Sequence, residues 1–126
     1  MANECIPLYQ PGKHLTATVA TAVTGKTFVD ISGATLNPAT GALISVATAT
    51  AAGKSLGVAA FDAAAGAQVS VIGEGVVPVT AGAAITAGAE VEVGASGKAI
   101  TLASGKAVGR ALTTAANNAD VYVRLY

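Results

Sequence analysis

Few side chains in this chain can do chemistry. His14 is its single histidine and Cys5 its single cysteine. A nucleophilic dyad would need the two within hydrogen-bond reach, with a third group orienting the base. Cys5 lies in a stretch broken by Pro7, Pro11 and Gly12, and nothing in the sequence orients it toward His14. His14 reads as a solvated residue at a strand start. Cys5 reads as a small apolar contact or an incidental free thiol. Glu90 and Glu92 stand two apart, which puts them on one face of a strand. Such a pair can chelate a cation or work as acid and base, but only with further ligands or a cleft. The pair is expected to be a solvated strand face, with Lys98 or Lys106 of another subunit as the secondary reading for a partner.

Gly-Lys occurs five times, at Gly12-Lys13, Gly25-Lys26, Gly53-Lys54, Gly97-Lys98 and Gly105-Lys106. A phosphate loop requires Gly-x-x-x-x-Gly-Lys-Ser/Thr between a strand and a helix. Gly25-Lys26-Thr27 and Gly53-Lys54-Ser55 match its last three positions, but Ala20 and Thr48 stand where the first glycine belongs. Both read as hairpin turns with Lys as the polar exit. Residues 79–91, VTAGAAITAGAEV, have the Gly-cornered look of lipoyl and biotinyl carriers but lack a modifiable Lys at a hairpin tip. They read as a turn packing close to another backbone. No catalytic constellation remains, and neither a cofactor nor a metal is expected.

The elements that carry these residues follow from composition. Of 126 residues, 30 are Ala, 15 Gly, 15 Val and 14 Thr, and only 11% are charged. Seven basic residues balance seven acidic ones. That leaves no basic field for phosphate binding, so no nucleic-acid partner is expected. Low charge with 52% hydrophobic residues argues against disorder. No apolar run reaches the ~18–20 residues of a membrane span, and the first residues do not read as a secretion signal. A chain made in a cytoplasm and staying soluble is the expectation. Small side chains bury little area each, at ~25 cal/mol per Å², and low surface charge disfavours a solitary monomer. Both point to an assembly.

Residues 1–13 form an expected N-terminal arm, broken by prolines but carrying Ile6, Leu8 and Tyr9. From His14 the pattern alternates: Leu15, Ala17 and Val19 against Thr16 and Thr18. A turn at Thr24-Gly25-Lys26 and a second strand, Thr27 to Ile31, follow. Further short strands are expected at 43–50, 56–60, 67–72, 76–79, 90–93, 98–102, 107–112 and 120–125. The Ala-rich stretches are cut by Gly before they reach the ~12 residues a self-supporting helix needs. At most a helical turn is expected near Asp62–Gly66. Regular short strands between turn signals predict an all-β chain, a small barrel or sandwich, as one β domain over residues 14–126.

There is an internal repeat. Gly53-Lys54-Ser55-Leu56-Gly57-Val58-Ala59 recurs as Gly105-Lys106-Ala107-Val108-Gly109-Arg110-Ala111, 52 positions on. At the same offset Val69-Ser70-Val71 meets Val121-Tyr122-Val123. The repeat covers residues 53–73 and 105–125 and predicts pseudo-symmetry rather than a solenoid.

The stretch Leu56-Gly57-Val58-Ala59, Ala63-Ala64-Ala65-Gly66 and Val69-Ser70-Val71-Ile72-Gly73-Glu74-Gly75-Val76 resembles the capsid decoration, or cement, proteins of tailed bacteriophages. So do Ala87-Gly88-Ala89-Glu90-Val91, Gly109-Arg110-Ala111 and Val121-Tyr122-Val123-Arg124-Leu125. The likeness covers residues 53–126. It implies a β-clip or β-tulip fold with an extended N-terminal arm, a homotrimer or else a dimer, and a place on the virion exterior. There it would lock neighbouring major capsid proteins together. Ile6, Pro7, Leu8, Tyr9 and Pro11 are then the expected capsid-binding arm. Val76, Val77, Val79, Tyr122 and Tyr126 are the expected subunit interface, because large exposed groups are scarce in this chain. The alternative is a non-catalytic β module, lipoyl-like, sugar-binding or part of a surface fibre. A sugar-binding module would have only Tyr9, Phe28, Phe61, Tyr122 and Tyr126 as aromatic platforms.

Overall fold

The computed structural model describes Cys5 and residues 12–126. The arm residues Ile6, Pro7, Leu8, Tyr9 and Pro11 lie outside the described residues. Ten strands follow: β1 (His14–Val19), β2 (Phe28–Ile31), β3 (Ile44–Thr48), β4 (Ser55–Ala59), β5 (Gln68–Ile72), β6 (Val76–Thr80), β7 (Glu90–Val93), β8 (Ala99–Thr101), β9 (Gly109–Ala111) and β10 (Asp120–Leu125). Among the described residues the fold is all-β apart from a single 3-10 turn at Ala95–Gly97. In β1, β5, β6 and β10 the buried positions alternate along the strand, whereas β2, β4 and β7 bury consecutive residues. Ala17 and Val19 of β1, Val69 and Val71 of β5, and Val121 and Val123 of β10 all point inward.

Strands β1–β5 close into a barrel in the order β1-β3-β2-β4-β5. Closure comes from β1, which pairs parallel with β3 and antiparallel with β5. The alternation expected from residue 14 therefore holds, but β1 and β2 are not the two arms of a hairpin: β3 lies between them. Residues 20–27 instead form a corner. Val23 is buried and bridges Ala63, and the Gly25 N–H donates to Asp62 Oδ1 at 2.8 Å. Ala63 is thus tied into a bridge, and the helical turn expected near Asp62–Gly66 is absent.

Strands β6–β10 form a second sheet in the order β6-β10-β9-β7-β8. It repeats the first unit pair for pair. His14↔Ile72 and Thr18↔Gln68 in β1–β5 become Val76↔Arg124 and Thr80↔Asp120 in β6–β10. Phe28↔Val58 in β2–β4 becomes Glu90↔Arg110 in β7–β9. Val29↔Thr48 in β2–β3 becomes Val91↔Thr101 in β7–β8. The corner recurs as well: Ile85 bridges Ala115, and the Ala87 N–H donates to Thr114 Oγ1 at 3.1 Å. Even the left-handed residues correspond, Lys26 (φ 64°) with Gly88 (φ 92°) and Gly66 (φ 85°) with Asn118 (φ 67°). The chain is a tandem duplication of one five-stranded unit.

The units differ at one seam. In the first, the segment between β2 and β3 spans residues 32–43, and β3 runs beside β1 for three pairs. In the second, residues 94–98 suffice between β7 and β8, and β6 meets β8 only at the Ala81–Ala99 bridge. Two hydrophobic clusters result. One fills the first barrel, with Val19, Val29, Val46, Val69 and Val71. The other fills the second unit, with Val79, Ile85, Val91, Val121 and Val123, and includes Phe28, Ala49 and Val58 from the first. Phe28, fully buried, is among the largest side chains that hold the units together.

Candidate functional site

The outer face of the second unit carries the large exposed side chains of β6, β10 and β9. Tyr122 stands opposite Pro78 on one side. On the other side the Leu112 N–H donates to the Tyr122 carbonyl at 2.8 Å. Pro78, Tyr122 and Leu112 therefore form a row across three strands, with Tyr122 and Leu112 each 48% exposed. One step along, Val76, Arg124, Arg110 and Glu90 form the next row. The same backbone positions of the first unit hold Thr16, Ser70 and Ala60, small residues on an equally open row.

Hydrogen bonds pin the margins of this face. Tyr126 Oη donates to Glu90 Oε2 at 2.7 Å. That hydrogen bond, reinforced by desolvation, raises the Tyr126 phenol above its ordinary pKa. Arg110 Nη1 donates to the Gly88 carbonyl at 2.8 Å. At the opposite margin Lys26 of the first unit bonds Asp120 of β10 at 2.8 Å, which holds the ammonium above its usual range.

The five expected interface residues are divided by the structure. Val76, Tyr122 and Tyr126 are exposed, whereas Val77 and Val79 are buried in the chain's own core. β6 alternates, so its odd positions turn inward. Leu112 and Pro78 complete the row, and sequence reasoning passed over both. The offset of 52 is a signal that finds Leu112, since it sets Leu112 against Ala60; Pro78 lies in a strand that follows a different offset.

The residues considered for chemistry are scattered. His14 is exposed, with Nδ1 3.5 Å from Ser70 Oγ. Cys5 is exposed. Among the described residues no three His, Cys, Asp or Glu group to hold a metal. The expectation of a solvated Glu90/Glu92 face fails at Glu92, which is 4% exposed. The loop after β8 folds over it and donates the N–H groups of Ala103 (3.3 Å) and Gly105 to its carboxylate. Glu92 is a structural anchor. Lys98, proposed for a carboxylate across an interface, donates to Asn118 Oδ1 within the chain at 2.9 Å.

A cleft of about 540 Å³ lies between the units. Residues Ala52–Gly57 of the first repeat, Lys106–Val108 of the second, Phe28, Gly73, Leu125 and Tyr126 line it.

A family model described as phage cement protein matches residues 9–125. Among solved structures, the N base of head fibre gp8.5 of bacteriophage phi29 is similar to this chain. It is 21% identical over 90% of this chain and 92% of that one, with a TM-score of 0.74. At that identity the likeness is one of fold. No curated protein matches. With both five-stranded units inside the matched span, the chain belongs to the phage cement protein family and is a structural protein of the virion.

Proposed function

We propose that the chain binds the outer surface of an icosahedral phage head as a non-catalytic protein and cements neighbouring major capsid proteins. Ile6, Pro7, Leu8, Tyr9 and Pro11 are the shell contact, since an extended segment can add main-chain hydrogen bonds without large side chains. Val76, Tyr122, Leu112 and Tyr126 face a second copy of the chain, in a trimer or a dimer. The observation that carries this reading is the row Pro78–Tyr122–Leu112. Two copies of one backbone expose the same row, and only one has filled it with large apolar groups that its own fold does not need. Assembly multiplies modest single contacts into avidity on a repetitive lattice.

Two experiments test it. Removing residues 2–12 is expected to leave the far-ultraviolet circular dichroism unchanged and to abolish retention on heads of the source phage. Undiminished retention would overturn the arm's role. The double change Tyr122→Ser and Leu112→Ala, which writes the first unit's residues into the second, is expected to fold and to sediment as a monomer. An unchanged oligomer would remove the row from the subunit interface.

A further inference from the structure

The Gly-Lys turns of the repeat are absorbed neither by the fold nor by the proposed shell contact. Lys54 and Lys106 are equivalent residues of the two units, and the duplication brings both to the rim of one cleft. Both are exposed, and neither has an acidic partner among the described residues. Asp30 shares a neighbouring cleft with Lys54 but forms no ion pair with it. Leu56, Val108 and Leu125, each half-buried, line the cleft between the two lysines. Half-buried aliphatic side chains with two like charges at the rim fit an extended segment that carries a carboxylate among apolar residues. The two lysines without an acidic partner give it charge complementarity.

We infer that this inter-unit cleft is a second docking site, and that it receives an extended, carboxylate-bearing segment of the shell protein. The inference rests on the cement reading above. It adds a contact at the seam of the molecule, apart from the N-terminal arm.

The test uses full-length chain and heads of the source phage. Lys54→Glu with Lys106→Glu is expected to weaken head binding at least tenfold at moderate salt. Lys54→Arg with Lys106→Arg is expected to retain binding. Lys98→Glu, a charge reversal outside the cleft, is expected to change it less than twofold. Carbodiimide cross-linking of decorated heads is expected to join Lys54 or Lys106 to a carboxylate of the shell protein. Binding by the double reversal equal to that of the native chain would overturn the site, and so would cross-links running to Glu4 of the chain itself. If the native chain does not bind heads, the cement reading fails first and the cleft proposal with it. Loss confined to the reversals tests the cleft alone.

Discussion

Two carboxylates at equivalent positions show how residue type sets local stability. Glu92 receives the Ala103 and Gly105 N–H groups. Its counterpart Asp30, one methylene shorter, receives only the Thr50 N–H at 3.4 Å and leaves Oδ1 buried without a partner. Gly53 and Gly105 sit against these carboxylates, where a Cβ would collide with them. Glu92→Ala strands two loop N–H groups and is expected to cost about 1–3 kcal/mol, because hydrogen bonds to charged groups are the stronger kind. Urea denaturation measures it, and Asp30→Ala is expected to cost less. Alkaline titration reads the Tyr126–Glu90 contact. The folded phenol pKa is raised, so the contribution of this contact is complete below the unfolded value. It is lost as pH rises through the folded one. Phenolate absorbance is expected to show one tyrosine titrating late in the native protein and not in Glu90→Ala.

Strands were legible in the sequence because short β-prone runs are separated by connections that mostly contain Gly or Asn. Their partners were not. A turn signal at Gly25-Lys26 reads as a hairpin from local chemistry, and only the tertiary pairing shows that β3 intervenes. The full duplication was half legible for a related reason. Its last two strands share the offset of 52, but the first two are shifted by 62 and the third by 53. The shorter connection before β8 accounts for the fall from 62 to 53, one further residue is lost before β9, and no single-offset comparison sees all five. Burial of Glu92 depends on a loop from elsewhere in the chain, which periodicity cannot report. Pro78 has a reading at this scale too. In the β6–β10 ladder its position faces away from β10 by the alternation of hydrogen-bonded pairs, since the Ala81 N–H bonds the Ala119 carbonyl. A proline there removes a donor from the open side of an edge strand. Pro78→Val is expected to keep the native circular dichroism and to raise concentration-dependent light scattering.

For the whole molecule, the duplication sets one face inside and the equivalent face outside. The pair Phe28↔Val58 and its counterpart Glu90↔Arg110 occupy the same register. The first packs into the second unit's core, whereas the second carries Arg110 exposed at the surface. The difference between the units thus follows burial: apolar where they meet, polar or aromatic where the surface is open. The Thr80 N–H to Lys26 carbonyl bond (2.9 Å), the Ala52 N–H to Val93 carbonyl bond (2.9 Å) and the Lys26–Asp120 pair reinforce the junction. A core shared in this way couples the units in unfolding. Phe28→Ala opens a cavity at their junction and is expected to cost about 3–5 kcal/mol. Although Phe28 lies in β2, hydrogen-exchange protection is expected to fall in β6, β7 and β10 as much as in β1 and β5, with a single thermal transition. Loss of protection confined to the first unit would show that the halves fold independently. The junction would then be a hinge, and its cleft a surface of variable width rather than a fixed seat.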